Sequence, residues 1–433
     1  MRHIFSIFLS LIGAVAVSAQ GLECLIPVPT DILLSDGTYT YDQEPQVKVK
    51  FQEEFAPEAY ELHITPEGIL IKTSTEAGAF YARQTLAQIT GYGSVKKIPC
   101  CIVIDTPRFP YRGLHVDVSR HFRSIDFLKK QIDAMAMFKM NRMHLHLTDA
   151  AGWRMQIDAY PRLTSFAAWR PQPTWKEWWA GDRHYAEEGQ EGASGGYYTK
   201  DQLRGLVAYA RERHIEVIPE IEMPSHSEEV LAAYPELGCS GEAYKDSDFC
   251  VGNEAVYDFL ETVLSEVMDV FPSEYIHIGG DEAGKQHWKT CPKCQALMQQ
   301  EGMKDVDELQ SYMIHRIERF VNSKGRRIIG WDEILDGGLA PDATVMSWRG
   351  TEGGIEAMNQ GHDVIMTPGR YCYLDHTQDA PFLEPESIGG YLPLDSVYVY
   401  EPVEPTMPKD GLHHLLGVQA NLWSEYVVTD EHA

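Results

Sequence analysis

From residue 111 onward the chain repeats one pattern, in which a short apolar run ends in polar residues and an amphipathic stretch commonly follows. Helical stretches are indicated at 127–140, 199–213, 256–270 and 306–323, and the second begins with the capping-box pattern TKDQ. Eight β-α units favour a (β/α)8 barrel over an open sheet. The eight predicted strands are 113–118, 143–149, 216–222, 275–281, 326–332, 344–349, 363–368 and 415–423.

The segment before this repeat has a different pattern. Apolar runs at 60–64 and 69–71 flank a Thr-Pro-Glu-Gly turn, and 77–89 has helical periodicity. We therefore predict a small α+β domain over 20–106 and a barrel domain over 107–433.

The first nineteen residues have the pattern of a secretory signal peptide. Arg2 and His3 precede an apolar run over 4–17, and Val-Ser-Ala at 17–19 is a small-residue cleavage site. The run is too short to span a membrane, and no later stretch approaches ~20 apolar residues. We expect an exported protein, periplasmic or extracellular, with no membrane span.

Two long insertions interrupt the repeat. Residues 161–198 follow the second predicted strand and 371–414 follow the seventh, so both should lie over the barrel mouth. The chain ends at Ala433, shortly after Trp423, which leaves no room for a full eighth helix. The barrel is therefore expected to be C-terminally truncated, with its last helix missing.

Composition narrows the classes of partner. The formal net charge is −27, which disfavours nucleic acid, anionic membranes and polyanionic substrates. Nine Trp and 22 Tyr in an acidic exported chain fit sugar-stacking surfaces, although ordinary packing would use most of these rings. The sequence does not indicate an oligomeric state.

Eight cysteines permit disulfides in an exported protein. Cys239 and Cys250 bracket a short polar loop and are a plausible bridge. Cys291 and Cys294 form a Cys-x-x-Cys pair, which suits a local disulfide, a redox pair or half of a zinc site. Because no second Cys-x-x-Cys is present and His287 is the nearest further ligand, disulfides or inert thiols are favoured over a metal.

Polar and aromatic residues fall at the carboxyl ends of the predicted strands, where a barrel carries its active site. The stretch 275–282, YIHIGGDE, has the pattern of a buried strand followed by two glycines and two adjacent carboxylates. One neutral and one ionised carboxyl commonly cleave a glycosidic bond, whereas the alternative for this motif alone is a solvated turn with an Asp N-cap. The strand-end residues are Asp117, Asp149, Glu222, His226, Asp281, Glu282, Trp331, Trp348, Trp423 and Glu425.

Six motifs occur in order: YRGLHVDVSRHF (111–122), HLHLTDAAGWR (144–154), IPEIEMPSH (218–226), HIGGDE (277–282), GWDE (330–333) and NLWSE (421–425). From about residue 21 to its end, the chain thereby resembles family 20 of the glycoside hydrolases, the β-N-acetylhexosaminidases. The resemblance implies an exo-acting, retaining glycosidase. It would remove terminal non-reducing β-linked N-acetylglucosamine or N-acetylgalactosamine by substrate-assisted catalysis through an oxazolinium intermediate. No cofactor or metal is expected.

The resemblance also implies roles for individual residues. Glu282 would protonate the leaving oxygen and then activate water, with its pKa raised by burial and by the Asp281 charge. Asp281 would hold the acetamido N–H, and Tyr373 would hydrogen-bond the acetamido oxygen. The acetyl methyl group would be enclosed by Trp331, Trp348 and Trp423.

The same resemblance assigns sugar recognition to one guanidinium group and two carboxylates. Arg112, Asp375 and Glu425 would pair with the sugar hydroxyls. Asp149 and His226 would lie next to the acid and support it.

Two other classes of protein stay open at this point. A metal-dependent barrel hydrolase would use His144 and His146, which share one face of the second strand, although core histidines satisfied by hydrogen bonds are the favoured interpretation. A non-catalytic glycan-binding protein would keep the tryptophans and could lose the acid pair, whereas this chain has both acids. The sequence does not determine gluco or galacto preference or the natural glycan.

Overall fold

The computed structural model of the protein describes residues 22–433, and the predicted signal peptide at 1–19 lies outside the described residues. The chain divides into two units. One contains residues 22–110 together with 133–140, and the other contains 111–132 and 141–433. Across 22–433, no helix is long and apolar enough to cross a membrane.

The first unit is the expected α+β domain, a five-stranded sheet in the order β1-β5-β3-β4-β2 with the helix Glu76–Ile89. Alternate residues of β3 are buried, so one face of the sheet packs with the apolar face of this helix. The side chain of Thr75 caps the helix by accepting from the Gly78 N–H. The strands are β1 (Asp31–Thr40), β2 (Val47–Phe51), β3 (Tyr60–Thr65), β4 (Gly68–Thr73) and β5 (Lys97–Asp105).

The second unit is a closed barrel of eight parallel strands, which confirms the predicted fold. The last strand pairs in parallel with the first, from Gly417 opposite Tyr111 to Leu422 opposite Val116, so the barrel closes. The barrel strands are β6 (Tyr111–Asp117), β7 (Arg142–His146), β10 (Glu216–Glu220), β11 (Tyr275–His277), β12 (Arg327–Trp331), β13 (Thr344–Ser347), β14 (Val364–Met366) and β15 (Leu415–Leu422).

Helices follow most barrel strands, and each of the four predicted helical stretches is present. Side-chain caps at Thr199, Asn253 and Asp305 start three of them, with the predicted capping box complete at Thr199. Residues 423–433, after β15, form turns and irregular structure. The helices of eight or more residues are Ile125–Met137, Lys200–Arg211, Glu254–Val270, Pro292–Glu301, Val306–Ser323 and Glu352–Asn359.

The two predicted insertions contain short elements. The first holds the helices Arg162–Ser165 and Trp175–Ala180 and a two-stranded sheet of β8 (Trp169–Arg170) and β9 (Ser194–Gly195). The second holds Gly369–Cys372, Leu394–Tyr398 and a 3-10 turn. The 3-10 turn of the second insertion is Lys409–His414, and the remaining short helices are Glu228–Ala233 and the 3-10 segments Pro235–Leu237 and Asp332–Leu335.

The predicted bridge between Cys239 and Cys250 is wrong. The eight cysteines are free thiols. The sulfur of Cys250 also lies close to Cys291 and Cys294, at 3.6 and 3.7 Å, because the loop that holds Cys250 packs on the start of the helix Pro292–Glu301.

Candidate active site

A cavity of about 250 Å³ opens at the carboxyl ends of the barrel strands. Its wall combines charged groups with indole and phenol rings, as a barrel site for a polar ligand requires. Nine of the eleven residues proposed from the sequence line this cavity, and Asp149 contacts the lining residues Arg120 and His226. The lining residues are Arg120, His226, Asp281, Glu282, Trp331, Trp348, Tyr373, Asp375, His376, Ile388, Trp423 and Glu425.

The acid pair is presented by a sharply bent segment after β11. Gly279 and Gly280 have φ values of 66° and 100°, a region that side chains disfavour. A Cβ on Gly279 would lie 1.8 Å from a carboxylate oxygen of Glu222, and one on Gly280 would lie 2.5 Å from Ile334. Only glycines therefore fit here, and they end the strand earlier than the sequence pattern predicted.

His226 lies between the acid pair and Asp149. Its Nδ1 is 3.4 Å from Asp149 Oδ1, and its Nε2 is 3.5 Å from both Asp281 Oδ2 and Glu282 Oε2. Burial alone would lower the pKa of His226, but the charges of Asp149 and Asp281 outweigh burial and hold that pKa well above its usual value. His226 is therefore a cation at neutral pH, held between carboxylates.

The expected rise in the pKa of Glu282 is not observed. The neighbouring His226 lowers the pKa of Glu282 below its usual value, because its hydrogen bond and charge outweigh the partial burial of a side chain that is 58% exposed. Asp281 is much less exposed, and its Oδ1 has no hydrogen-bond partner among the described residues. The two adjacent acids thus differ in environment, as the sequence interpretation required, but Glu282 is the acid in the wetter position.

Arg112 does not reach this cavity, which corrects the sequence assignment. It is the second residue of β6 and therefore lies at the amino end of the barrel strands, opposite the cavity. The cavity instead contains Arg120, three residues beyond the end of the same strand. The motif YRGLHVDVSRHF holds both arginines, and only the strand length shows which one is at the carboxyl end.

Arg120 joins the carboxylates on one side of the cavity. Its Nη2 lies 2.6 Å from Asp149 Oδ2 and 3.6 Å from Glu425 Oε1, and its guanidinium stacks 5.0 Å from the Trp423 ring centroid. Burial and the Glu425 charge raise the pKa of Asp375 to about 8. Asp375 Oδ1 and Glu425 Oε2 have no partner in the described part of the chain, so both oxygens are open to pair with a ligand's hydroxyl groups.

The three predicted tryptophans and Tyr373 form an aromatic wall. The Trp331 ring lies 5.8 Å from the Trp423 ring, and Tyr373 lies 6.2 Å from both Trp423 and Trp348. Trp348 is anchored because its Nε1–H donates to Glu333 Oε2 at 2.9 Å. The wall stands beside Asp281 and Glu282 in the same cavity.

Beneath this wall, Glu220 connects several buried groups that the sequence analysis did not assign. It accepts a hydrogen bond from the Trp331 indole at 2.8 Å, lies 2.9 Å from His277 Nδ1 and 3.0 Å from His144 Nε2, and contacts His146 Nδ1. Its position in the motif IPEIEMPSH, as the last residue of a buried strand, is the sequence signal that could have indicated this role for Glu220.

His146 extends this network to the acid pair. Its Nε2 lies 3.2 Å from Asp149 Oδ2, while its Nδ1 contacts Glu220. Burial alone would lower the pKa of His146, yet Glu220 and Asp149 raise it to about 10. A charged His146 therefore links Glu220, which lies under Trp331, to Asp149, which contacts His226.

The histidines that a metal hydrolase would use are engaged by Glu220. His115, His144 and Glu220 are close enough to share an ion, as are His146, Asp149 and Glu222. However, Glu220 already accepts from the Trp331 indole, and His146 is the cationic bridge described above. Both ring nitrogens of His146 pair with carboxylates, Glu220 and Asp149, and His144 Nδ1 pairs with Gln419.

Fold and site together define a (β/α)8 barrel protein with a carboxylate pair and an indole wall in one cavity. The comparisons then identify the family. Residues 109–433 match the glycosyl hydrolase family 20 catalytic domain, and residues 27–106 match domain 2 of that family. The chain therefore belongs to glycosyl hydrolase family 20, which confirms the resemblance seen in its motifs.

Named relatives share most of this chain. It is 46% identical over 391 residues to a beta-hexosaminidase of Porphyromonas gingivalis, covering 86% of this chain and 48% of that protein. It is 37% identical over 382 residues to a beta-hexosaminidase of Vibrio furnissii, covering 85% and 61%. The chain thus spans about half to three fifths of the length of these two relatives.

A solved structure shares the fold over nearly the whole chain. The GH20 exo beta-N-acetylglucosaminidase from Vibrio harveyi, in complex with N-acetylglucosamine, has a TM-score of 0.83 at 30% identity. The match covers 94% of this chain and 70% of the Vibrio harveyi chain.

Proposed function

We propose that this protein is an exo-acting β-N-acetylhexosaminidase that removes a terminal, non-reducing β-linked N-acetylhexosamine with retention of configuration. One observation carries the proposal. Asp281 and Glu282 lie side by side, each 3.5 Å from the same charged imidazole, in a cavity walled by three indoles. The named hexosaminidases among its relatives support this proposal.

The size of the cavity supports an exo mode of action. Its volume of about 250 Å³ is just below the ~300–1,000 Å³ of typical ligand pockets, which suits one sugar ring rather than several. Arg120, Asp375 and Glu425 would bind the hydroxyl groups of that ring, because they bring donors and unpaired acceptors to one side of the cavity.

The substrate's acetamido oxygen would act as the nucleophile. Asp281 Oδ1, an unpaired and shielded acceptor, would accept the acetamido N–H and stabilise the positive charge that develops as the oxazolinium ring closes. Trp331, Trp348 and Trp423 would enclose the acetyl methyl group, and Tyr373 would hold the acetamido oxygen. Holding the carbonyl in attack geometry can contribute ~7–11 kcal/mol to lowering the barrier.

Glu282 would donate a proton to the leaving oxygen and then take one from water. A bound sugar would cover its exposed side chain, and the resulting loss of solvent would raise its pKa toward the range that an acid needs. His226 is charged and 3.5 Å away, so it can keep Glu282 oriented through both half-reactions.

Turnover of a chromogenic N-acetyl-β-glucosaminide and its galacto epimer by the purified chain tests this proposal. Release of the aryl group with initial formation of the β-anomer, read by NMR, is the expected result. A folded protein that binds N-acetylhexosamine without turnover would favour the glycan-binding alternative.

We also propose export of the protein, on the basis of the N-terminal sequence pattern. Fractionation of cells that express the full chain should find the protein in the periplasm or medium, with its mass reduced by the first nineteen residues. Recovery of the uncut chain from the cytoplasm would contradict export.

A further inference from the structure

Four cysteine side chains form a cluster apart from the cavity just described. Their ligand atoms all lie within 4.8 Å of one another. Three of the side chains are buried and Cys239 is half-buried. The cluster consists of Cys239, Cys250, Cys291 and Cys294.

The separations between the sulfurs have a physical meaning. Cys250 Sγ lies 3.6 Å from Cys291 Sγ and 3.7 Å from Cys294 Sγ, and Cys239 Sγ lies 3.8 Å from Cys294 Sγ. A disulfide would require ~2.05 Å. Thiolates placed tetrahedrally at ~2.3 Å from a zinc ion are ~3.8 Å apart along each edge of the tetrahedron. These three separations match that edge, and the other three sulfur pairs of the cluster lie within 4.8 Å.

The backbone brings Cys239 and Cys250 together as the two ends of one loop. A backbone bridge between Gly238 and Phe249 closes the loop, and the Cys250 N–H donates to the Leu237 carbonyl at 2.9 Å. This pairing is a property of the peptide chain itself, so the two thiols meet whether or not anything binds them.

The other two cysteines lie at the start of the helix Pro292–Glu301. The Gly252 N–H donates to the Cys294 sulfur. A Cβ on Gly252 would lie 2.3 Å from the Lys293 carbonyl carbon, so only glycine allows this approach. The loop that ends at Cys250 is thereby packed directly on the Cys-x-x-Cys turn.

We propose that these four cysteines bind a structural zinc ion. A set of four thiolates selects zinc among the divalent cations, and four protein ligands leave no open position for substrate. The sequence analysis favoured disulfides because no second Cys-x-x-Cys was present. The second pair of ligands is instead separated by a loop that only the fold closes.

The position of the site gives it a role. The segment from Glu282 to Cys291 begins with the second residue of the acid pair. Its Trp288 donates from Nε1 to the Phe249 carbonyl at 2.9 Å. The Phe249 N–H in turn donates to the Pro224 carbonyl at 2.8 Å, two residues before His226. The zinc site therefore holds together the segments that carry His226 and Glu282, and it does so whatever reaction they perform.

Metal analysis of the full chain, purified without chelator, tests the proposal. Inductively coupled plasma mass spectrometry should find one zinc per chain, and a mercurial reagent should release it as the cluster thiols react. Cys294→Ser should lose the zinc, whereas Lys293→Ala in the same turn and Cys24→Ser elsewhere should keep it.

A second measurement does not depend on the folding of a variant. Cobalt-loaded wild-type protein should show the visible absorption of a tetrahedral cobalt–thiolate site, and this absorption should disappear when zinc is added back. Protein that holds no metal, with the four cysteines mapped as two disulfides by mass spectrometry, would overturn the proposal. Stoichiometric iron instead of zinc would overturn it as well.

Discussion

The indole N–H of Trp331 donates to Glu220 Oε1 at 2.8 Å, deep in the barrel below the cavity. The same carboxylate lies against His144, His146 and His277, so one buried charge holds the base of the aromatic wall and balances the histidines around it. The orientation of Trp331 thus depends on a residue that does not line the cavity.

Glu220→Gln should destabilise the protein by about 3–5 kcal/mol, because it removes the negative charge of this carboxylate while the cationic His146 stays buried. Urea unfolding followed by tryptophan fluorescence measures this change. Glu386→Gln, in an exposed pair with Lys176, is the matched control and should unfold like the wild type. Equal stabilities for the two variants would contradict the role given to Glu220.

Glu282→Gln should reduce turnover by ~10²–10⁴-fold on substrates with poor leaving groups, which need protonation, and much less on substrates with activated aryl leaving groups. Binding of N-acetylhexosamine should persist, since the side chain lies at the mouth of the cavity. Steady-state kinetics across leaving groups of different pKa measure the effect. A uniform loss for all leaving groups would argue against Glu282 as the acid.

Arg120→Ala should lower kcat/KM by about ten- to hundred-fold, as expected for a charged hydrogen bond of ~1.5–3 kcal/mol to the substrate. Arg112→Ala, in the same sequence motif, is the matched control and should retain wild-type kcat/KM, because Arg112 lies at the opposite end of the barrel. Circular dichroism of both variants separates loss of recognition from loss of fold. The reverse ranking would restore the original assignment of Arg112.

The raised pKa of His226 has a consequence for stability. Because its folded pKa lies above the unfolded value, protonated His226 stabilises the fold fully below pH ~6.5, and this contribution is lost as the pH rises through the folded pKa. Asp149→Asn removes a charge that raises this pKa, so the alkaline loss of stability should be smaller and should be complete at lower pH. Urea unfolding midpoints test this prediction. They are measured from about pH 6 upward, because the reference pKa of histidine is ~6.5. Superimposable pH profiles for wild type and variant would contradict it.

Substrate assistance predicts a graded response to the acyl group. Replacing N-acetyl by N-trifluoroacetyl weakens the carbonyl oxygen as a nucleophile, so the rate should fall, and a thiazoline mimic of the cyclised intermediate should inhibit. Asp281→Asn should lower kcat by ~10²–10³-fold, as when an electrostatic stabiliser is removed. Rates that do not change along the acyl series would indicate a protein nucleophile instead.

Sequence reasoning succeeded where a property is local to one stretch of chain. The eight barrel strands, the capping box at Thr199 and the acids Asp281 and Glu282 all follow from periodicity or from a short motif. It failed where a property depends on an exact end or on a distant partner. Arg112 was assigned to sugar recognition because a motif does not show where its strand begins and ends.

The apolar and polar pattern of this chain by itself determined the barrel, its preceding α+β domain and the end of the barrel that bears chemistry, because side-chain alternation and strand–helix succession depend on neighbouring residues. Only the tertiary structure decided the electrostatics and the cysteine pairing. A pKa depends on charges brought close by folding, as Asp149 is to His226, and four sulfurs from separate segments converge only when the chain closes around them.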